Sequence, residues 1–415
     1  MSRPTNSSRT SPLSARWSRR GLLGLGVSGA VLGLASCTVN GSSESKPTQT
    51  PMPTATTEPT QAAPTPTQPP IGSPVPGYLD PNRWKGRSIT VASAAIGTYL
   101  DALNEAYFDA FAEATGATVR HTQFGRDGIA GLADQVEEGP ITWDVVLIPT
   151  ENVLPLAQKG YLTAIDYNIV DPAALYPEIA MQHAVGQALY STAIVYPAQT
   201  SSPPTGWKDF WDLSKFGGTR ALRKDPVGTL EFALLADGVE IKDLYPLDTA
   251  RAFASLEKLR DATIFYEDSK QPVELVRTGQ VGLASAWSVR TDLPDVASLV
   301  KTQWAGGMIS ADSWGIPKGS PNTDVAMSFI NFATRSVPAA TFSRLQPFGP
   351  VNKNAFDLLR PDVVATLPNA PENIGSQFFE NWSYWAGQQE DLTTQFNDWV
   401  LNPPATPVLP ATPTT

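Results

Sequence analysis

The chain is poor in the residues that carry covalent and metal chemistry. It has one cysteine and two histidines in 415 residues. A lone thiol makes no intrachain disulfide, so stability must come from the core. His121 and His183 have no second His or Cys at ligand spacing, which argues against a zinc site. There is no Gly-x-Ser-x-Gly elbow and no phosphate-binding P-loop. Paired carboxylates stay open as catalytic candidates, because any acid-rich chain contains some. Positive charge is scarce as well. The formal net charge is −10, whereas a nucleic-acid partner needs a basic surface. The expectation is a protein without cofactor, metal or catalytic residues, and with no nucleic-acid partner.

Long apolar runs are also missing, apart from one short stretch near the start. Arg3, Arg9, Arg16, Arg19 and Arg20 precede uncharged residues from Gly21 to Ser36. A basic segment followed by a short apolar one reads as a secretory signal, too short to span a membrane comfortably. Arg19 and Arg20, in Ser18-Arg19-Arg20-Gly21-Leu22-Leu23, resemble a twin-arginine export motif. Leu34-Ala35-Ser36-Cys37 resembles a bacterial lipobox, in which the cysteine is lipidated and the signal is cut before it. The chain's one cysteine stands where that motif needs it. Residues 1–36 are therefore expected to be a signal peptide and Cys37 a lipid anchor on the outer face of the cytoplasmic membrane. Removing them takes away five arginines and no acid. That leaves 25 of 30 basic residues against 40 acids, a net charge of −15. Gly24-Leu25-Gly26-Val27-Ser28-Gly29 spells a dinucleotide fingerprint, but it lies inside the signal rather than between a strand and a helix.

From Thr38 to Gly77 the chain is rich in Pro, Thr, Ser and Gln, with almost no large apolar residue. Such a segment cannot bury enough surface to order itself. Residues 37–80 are expected to be an extended spacer, and 402–415 a similar tail. Between them strand-like and helix-like patterns alternate. Strands are expected at Ile89–Ser93, Thr118–Phe124, Trp143–Ile148, Ala188–Tyr196 and Val281–Trp287. Helices are expected at Leu100–Thr115, Gly228–Ala236, Thr249–Arg260 and Thr323–Thr334, with a final helical region over Gln377–Leu401. Leu103, Tyr107 and Phe111 share one face of the first helix, and Gly116 supplies its stop. Alternating strands and helices imply α/β lobes with mostly parallel sheets.

A set of segments along this region resembles the spermidine/putrescine-type solute-binding proteins of ABC importers. They include Trp207-Lys208-Asp209-Phe210-Trp211-Asp212 with Lys215-Phe216-Gly217-Gly218, and Leu244-Tyr245-Pro246-Leu247-Asp248. Also similar are Trp314-Gly315-Ile316-Pro317-Lys318-Gly319 and Gly349-Pro350-Val351-Asn352-Lys353. Upstream, Trp143-Asp144-Val145-Val146 and Gly160-Tyr161-Leu162 fit the same pattern. The resemblance implies a two-lobed α/β periplasmic-binding-protein fold of type II, with the ligand in a cleft that closes by hinge motion. It implies lobe 1 over 81–197 with about 311–350, and lobe 2 over 198–310 with about 351–401. The chain would cross near Val195–Ser202 and return near Ile309–Asp312. The implied partners are a small amine-bearing solute, polyamine-like, and ABC permease subunits with their ATPase. A ligand-sensing lipoprotein without transport, or a secreted enzyme on a similar fold, are the competing classes.

Residue by residue, the resemblance sets Asp225 on one ligand acid, Trp287 on a stacking ring and Asp312 on the acid beside the hinge. An ammonium leaving water needs such anions, and a ring face adds about 0.5–2 kcal/mol. The pattern departs elsewhere. Its second acid falls on Gly228, its ring before the hinge acid on Ser310, and its paired tyrosines on Glu151 and Asn152. Glu151 is a candidate replacement acid. Trp314 and Tyr266 are candidate replacement rings. Arg290, just after Trp287, is a candidate carboxylate contact. Local readings compete with these roles. Asp225 before Pro226 makes a good helix N-cap, Glu151 follows Pro149 in a capping position, and a tryptophan closing a strand is ordinary core.

Overall fold

The computed structural model describes residues 70–125, 128–293 and 295–402. Cys37, Arg19 and Arg20 lie outside them. Among the described residues no helix is long and apolar enough to cross a membrane.

The strands are β1 (Ser88–Ser93), β2 (Thr118–Gln123), β3 (Val145–Pro149), β4 (Ala184–Pro197) and β5 (Arg220–Arg223). They continue with β6 (Thr263–Tyr266), β7 (Leu283–Trp287), β8 (Val300–Gly315), β9 (Gly349–Pro350) and β10 (Phe378–Phe379). They form one sheet in the order β2-β1-β3-β8-β4-β7-β5-β6, with β9 beside β4 and β10 beside β8. The sheet is mixed rather than mostly parallel. β1 with β2 and β3, and β5 with β6 and β7, pair in parallel, as βαβ crossovers require. β4 and β8 run antiparallel through the middle. The pattern of alternation predicted β1, β2, β3, β4 and β7 and missed the short β5 and β6 as well as β8, whose Gly306, Gly307, Ser310 and Ser313 break any apolar run.

β4 and β8 carry the chain between two cores. Val185, Ala188 and Leu189 of β4 pack in the first core, and Ile194 in the second. The first crossing therefore falls at Tyr190–Thr192, earlier than the expected 195–202. β8 returns between Met308, in the second core, and Ile309, in the first. A third crossing follows. Phe378 and Trp385 belong to the second core and Trp382 to the first. Residues 351–367, expected in lobe 2, pack in the first core through Val351, Ala355, Leu359 and Leu367. The stretch Lys353–Leu358 neighbours the helix Ser336–Leu345, and Phe378 with Trp385, Leu392 and Phe396 completes the second core.

Local chemistry explains several joints. The helical stretch starting at Gly97 ends at Thr115, where Gly116 takes φ of 75° and donates its N–H to Ala112 O at 2.8 Å. Asp144 accepts from Thr90 N–H at 2.8 Å and from the Ser320 hydroxyl at 2.7 Å, tying β3 to β1 and to the turn after β8. The buried Arg220 donates to carbonyls of Phe210, Asp212, Phe216 and Gly218, which holds the Trp207–Gly218 segment in place. The folded part starts earlier than residue 81. Val75 and Tyr78 are buried in the first core, and the Tyr78 hydroxyl donates to Ser328 O at 2.8 Å.

Candidate ligand-binding site

The crossings bring residues of both lobes to one narrow cavity of about 30 Å³. From the first lobe comes Glu151, in the turn after β3. The second lobe supplies Arg223 and Asp225 after β5, and Trp287 at the end of β7. These ends of parallel strands are where α/β sheets present ligand-binding side chains. Each crossing adds a residue: Tyr190 on the first, Ser310 on the second and Glu380 on the third.

Asp225 does two things. Its Oδ1 accepts from Val227 N–H at 3.0 Å, capping the helix Pro226–Ala236, while its Oδ2 lies 3.3 Å from Arg223 Nη2. Arg223 also stands over the Trp287 ring, 5.1 Å from its centroid. Trp287 also meets Tyr190, with centroids 5.4 Å apart. Gly228 has φ of 80° inside this helix start, and its N–H donates to Glu231 at 2.9 Å. A Cβ at Gly228 would meet Met308 Cε and the Phe232 ring at 3.2 Å, so a side chain there must push on both.

Asp312 sits just behind the cavity wall. It accepts from the Tyr99 hydroxyl at 3.2 Å and lies opposite Pro149 in the β3–β8 register. Burial pushes its carboxyl up to about 6. Glu151 is raised too, first by burial and then by the Asp312 charge. Glu380 is raised as well, again by burial first and then by Glu151. Glu231 beneath them is raised to about 7 by burial, but it is fully partnered by Gly228 N–H, the Tyr245 hydroxyl and Trp385 Nε1. The site thus collects carboxyls whose charged form is disfavoured. Among the described residues lining it, Arg223 is the one cation.

The structure brings Asp225, Trp287, Glu151 and Ser310 together, with Asp312 behind them. It does not bring Asn152, which is half-buried in the turn Thr150–Asn152 and not among the lining residues. Trp314 is fully buried in the first core against Tyr107 and Phe329. Tyr266 is buried behind the site, its hydroxyl donating to Ser285 O. Arg290 donates to Ser269 Oγ at 3.0 Å and does not line the cavity. The cation at the cavity is Arg223. The sequence also gave no warning of Tyr190 or Glu380. The position of Arg223 at a strand end, two residues before the capping Asp225, was the signal that could have found it.

A two-lobed α/β sheet with three crossings and an acid-rich cavity between the lobes defines a solute-binding protein of the periplasmic type. Residues 106–372 match the bacterial extracellular solute-binding protein family, and the chain belongs to that family. A gamma-aminobutyric acid-binding protein of Pseudomonas aeruginosa is 31% identical over 76% of this chain and 91% of its own. The solved structure of a GABA receptor is 32% identical, with TM-score 0.69, over 76% of this chain and 98% of that one. An ABC transporter substrate-binding protein from Bradyrhizobium japonicum USDA 110 gives 31% identity and TM-score 0.69 over 76% and 99%. The spermidine/putrescine-binding periplasmic protein of Escherichia coli is more distant, 24% identical over 58% of this chain and 72% of its own. The chain is therefore the substrate-binding component of an ABC transporter. It captures a small solute, and its relatives are binding proteins rather than enzymes.

Proposed function

We propose that the protein captures a small zwitterion of the γ-aminobutyrate kind, by hinge closure, and delivers it to an ABC permease. One observation carries this reading. Glu151 and Glu380 line the cavity outside any ion pair among the described residues, with the Asp312 charge near Glu151, and Arg223 lines the same cavity paired with Asp225. A desolvated carboxylate needs a positive partner, and a ligand ammonium is such a partner. The planar guanidinium has five N–H donors, so Asp225 leaves it donors for a ligand carboxylate. The ring of Trp287 then flanks the methylenes. The γ-aminobutyric acid-binding relatives support the same class. The shared polyamine resemblance accounts for the acids and the ring, and Arg223 accounts for the shift from diamine to amino acid.

Calorimetry on residues 70–402 tests this directly. γ-Aminobutyrate is expected to bind at least 30-fold tighter than putrescine, which lacks the carboxylate, and than butyrate, which lacks the amine. Tighter binding of putrescine would overturn the zwitterion. Tighter binding of butyrate would overturn the acids' role. We also infer that Cys37 tethers the protein to the membrane after export directed by Arg19 and Arg20. The lipobox-like sequence and the chain's single cysteine support that inference.

A further inference from the structure

Glu380 lies on the third crossing, where the chain passes between the cores at Phe378 and Trp382. It is 4% exposed and lines the cavity. Its backbone is fixed, because Glu380 N–H donates to Ile309 O at 2.9 Å and β10 pairs beside β8. Its side chain is fixed at one end. Oε2 accepts from Ser310 Oγ at 2.7 Å, while Oε1 is buried with no hydrogen-bond partner. Buried carboxylate oxygens are rarely left so, and desolvation without a donor is costly.

The groups facing Glu380 do not supply what it lacks. Glu151 comes from the turn after β3, and Asp225 and Glu231 from the start of the helix Pro226–Ala236. All three are acids that disfavour its charged form. The tyrosines near it, Tyr190 on β4 and Tyr245, are pushed up by burial first and, among smaller causes, by its charge. Tyr245 already donates to Glu231 at 2.7 Å. Arg223, across the same cavity, is engaged with Asp225 at 3.3 Å.

We propose that Glu380 is a ligand-reading residue of the cleft, which accepts an N–H of the ligand ammonium through Oε1, with Ser310 as its positioning residue. An ammonium carries three donors. Glu151 meets it from the first lobe and Glu380 from the crossing. Two acceptors set at a fixed spacing read N–H groups, so a primary amine is accepted and an N-trimethylated one is rejected. This rests on the zwitterion reading above and gives it a determinant for the amine end.

The test compares wild type, Glu380→Gln and Ser310→Ala by calorimetry with γ-aminobutyrate, its N-trimethyl analogue and putrescine, each in two buffers of different ionisation enthalpy. Glutamine keeps the shape of the side chain and its contact with Ser310, and thermal melts check that each variant folds. Wild type is expected to bind γ-aminobutyrate and to release protons on binding. Glu380→Gln should weaken that binding at least tenfold, release fewer protons, and leave the already poor binding of the N-trimethyl analogue within twofold. Ser310→Ala should weaken γ-aminobutyrate three- to tenfold. If Glu380→Gln binds γ-aminobutyrate within twofold of wild type with the same proton release, the proposal for Glu380 is wrong while the zwitterion stands. If wild type prefers putrescine and Glu380→Gln loses it at least tenfold, the acid's role holds and the zwitterion falls. Wild type that binds neither amine overturns both.

Discussion

The guanidinium of Arg223 lies over the face of Trp287, 5.1 Å from the ring centroid, while Asp225 holds it from the side at 3.3 Å. The ring and the acid keep a charge from the second lobe aimed along the cavity wall. If Arg223 takes the ligand carboxylate, Arg223→Gln removes one member of a desolvated charge pair, which costs about 2–5 kcal/mol. Binding of γ-aminobutyrate should fall by roughly 30-fold or more. Putrescine, with no carboxylate, should bind Arg223→Gln as well as wild type or better. Arg223→Lys should lie between, because lysine keeps the charge and loses the planar fork. Calorimetry on the three proteins decides; equal losses for both ligands would mean that Arg223 only braces Trp287.

Asp312 makes the site sensitive to pH, and the sign follows from its raised carboxyl. A folded-state value of about 6, above its ordinary 3.8, means that the folded protein holds this proton more tightly than the unfolded chain. The favourable contribution to folding is full below about 4 and is lost as pH rises through about 6. A cationic ligand prefers the deprotonated acid, so affinity should drop as pH falls below about 6. Comparing wild type with Asp312→Asn isolates this contribution from the many other carboxylates. The variant should lose at least tenfold in affinity at pH 8 and much less at pH 5. Its unliganded melting temperature, relative to wild type, should improve as pH rises from 5 to 8. A difference in melting temperature that stays flat across that range would contradict the assignment.

The fold was legible in sequence where burial imposes a period. Leu103, Tyr107 and Phe111 share one helix face and are all buried, and β3 is an apolar run of Val145, Val146, Leu147 and Ile148. Of the two middle strands, β4 was legible and β8 was not. β8 is paired on both sides, so its Gly and Ser residues are buried by neighbours rather than by their own apolarity. The cavity was half legible for the same reason. Asp225 and Trp287 sit at strand ends, where a ligand contact is a local guess. Glu380 reaches Ser310 across 70 residues of chain, and no spacing announces that meeting. Arg223 and Arg290 are both arginines near strand ends. Only the packing of Arg223 on Trp287 against that of Arg290 on Ser269 tells which faces the cavity.

Cys37 gives a prediction about place rather than binding. The lipobox-like Leu34-Ala35-Ser36-Cys37 provides the chain's single thiol for acylation. An anchor of more than one acyl chain holds a protein to the membrane, at about 0.8 kcal/mol for each buried CH₂. Cys37→Ser should move the protein from the membrane fraction to the soluble one without changing the affinity of residues 70–402. Membrane association that survives Cys37→Ser would show a tether of another kind. Arg19→Lys with Arg20→Lys should block export, and normal export of that variant would point to the general route.

Gly228 stands where the polyamine-type pattern carries its second acid, and the structure gives two reasons why no acid works there. Its φ of 80° is one that residues with a Cβ rarely adopt. A Cβ would also lie 3.2 Å from Met308 Cε and from the Phe232 ring, both of which line the cavity. The glycine lets the chain turn sharply after Asp225, so that its N–H reaches Glu231 and the helix starts beside the cavity. Gly228→Ala should therefore destabilise the fold by about 1–3 kcal/mol, the usual cost of a strained backbone position. It should also weaken γ-aminobutyrate, because the displaced Met308 and Phe232 line the cavity. Gly228→Glu should lose more of both, and it should gain no affinity for putrescine, since a longer side chain on a strained backbone pushes harder on the same two lining residues. Thermal melts and titrations of the two variants check this. Putrescine binding that improves in Gly228→Glu would show that this wall moves aside, and that the selectivity for one amine over two lies elsewhere than in the packing around Gly228.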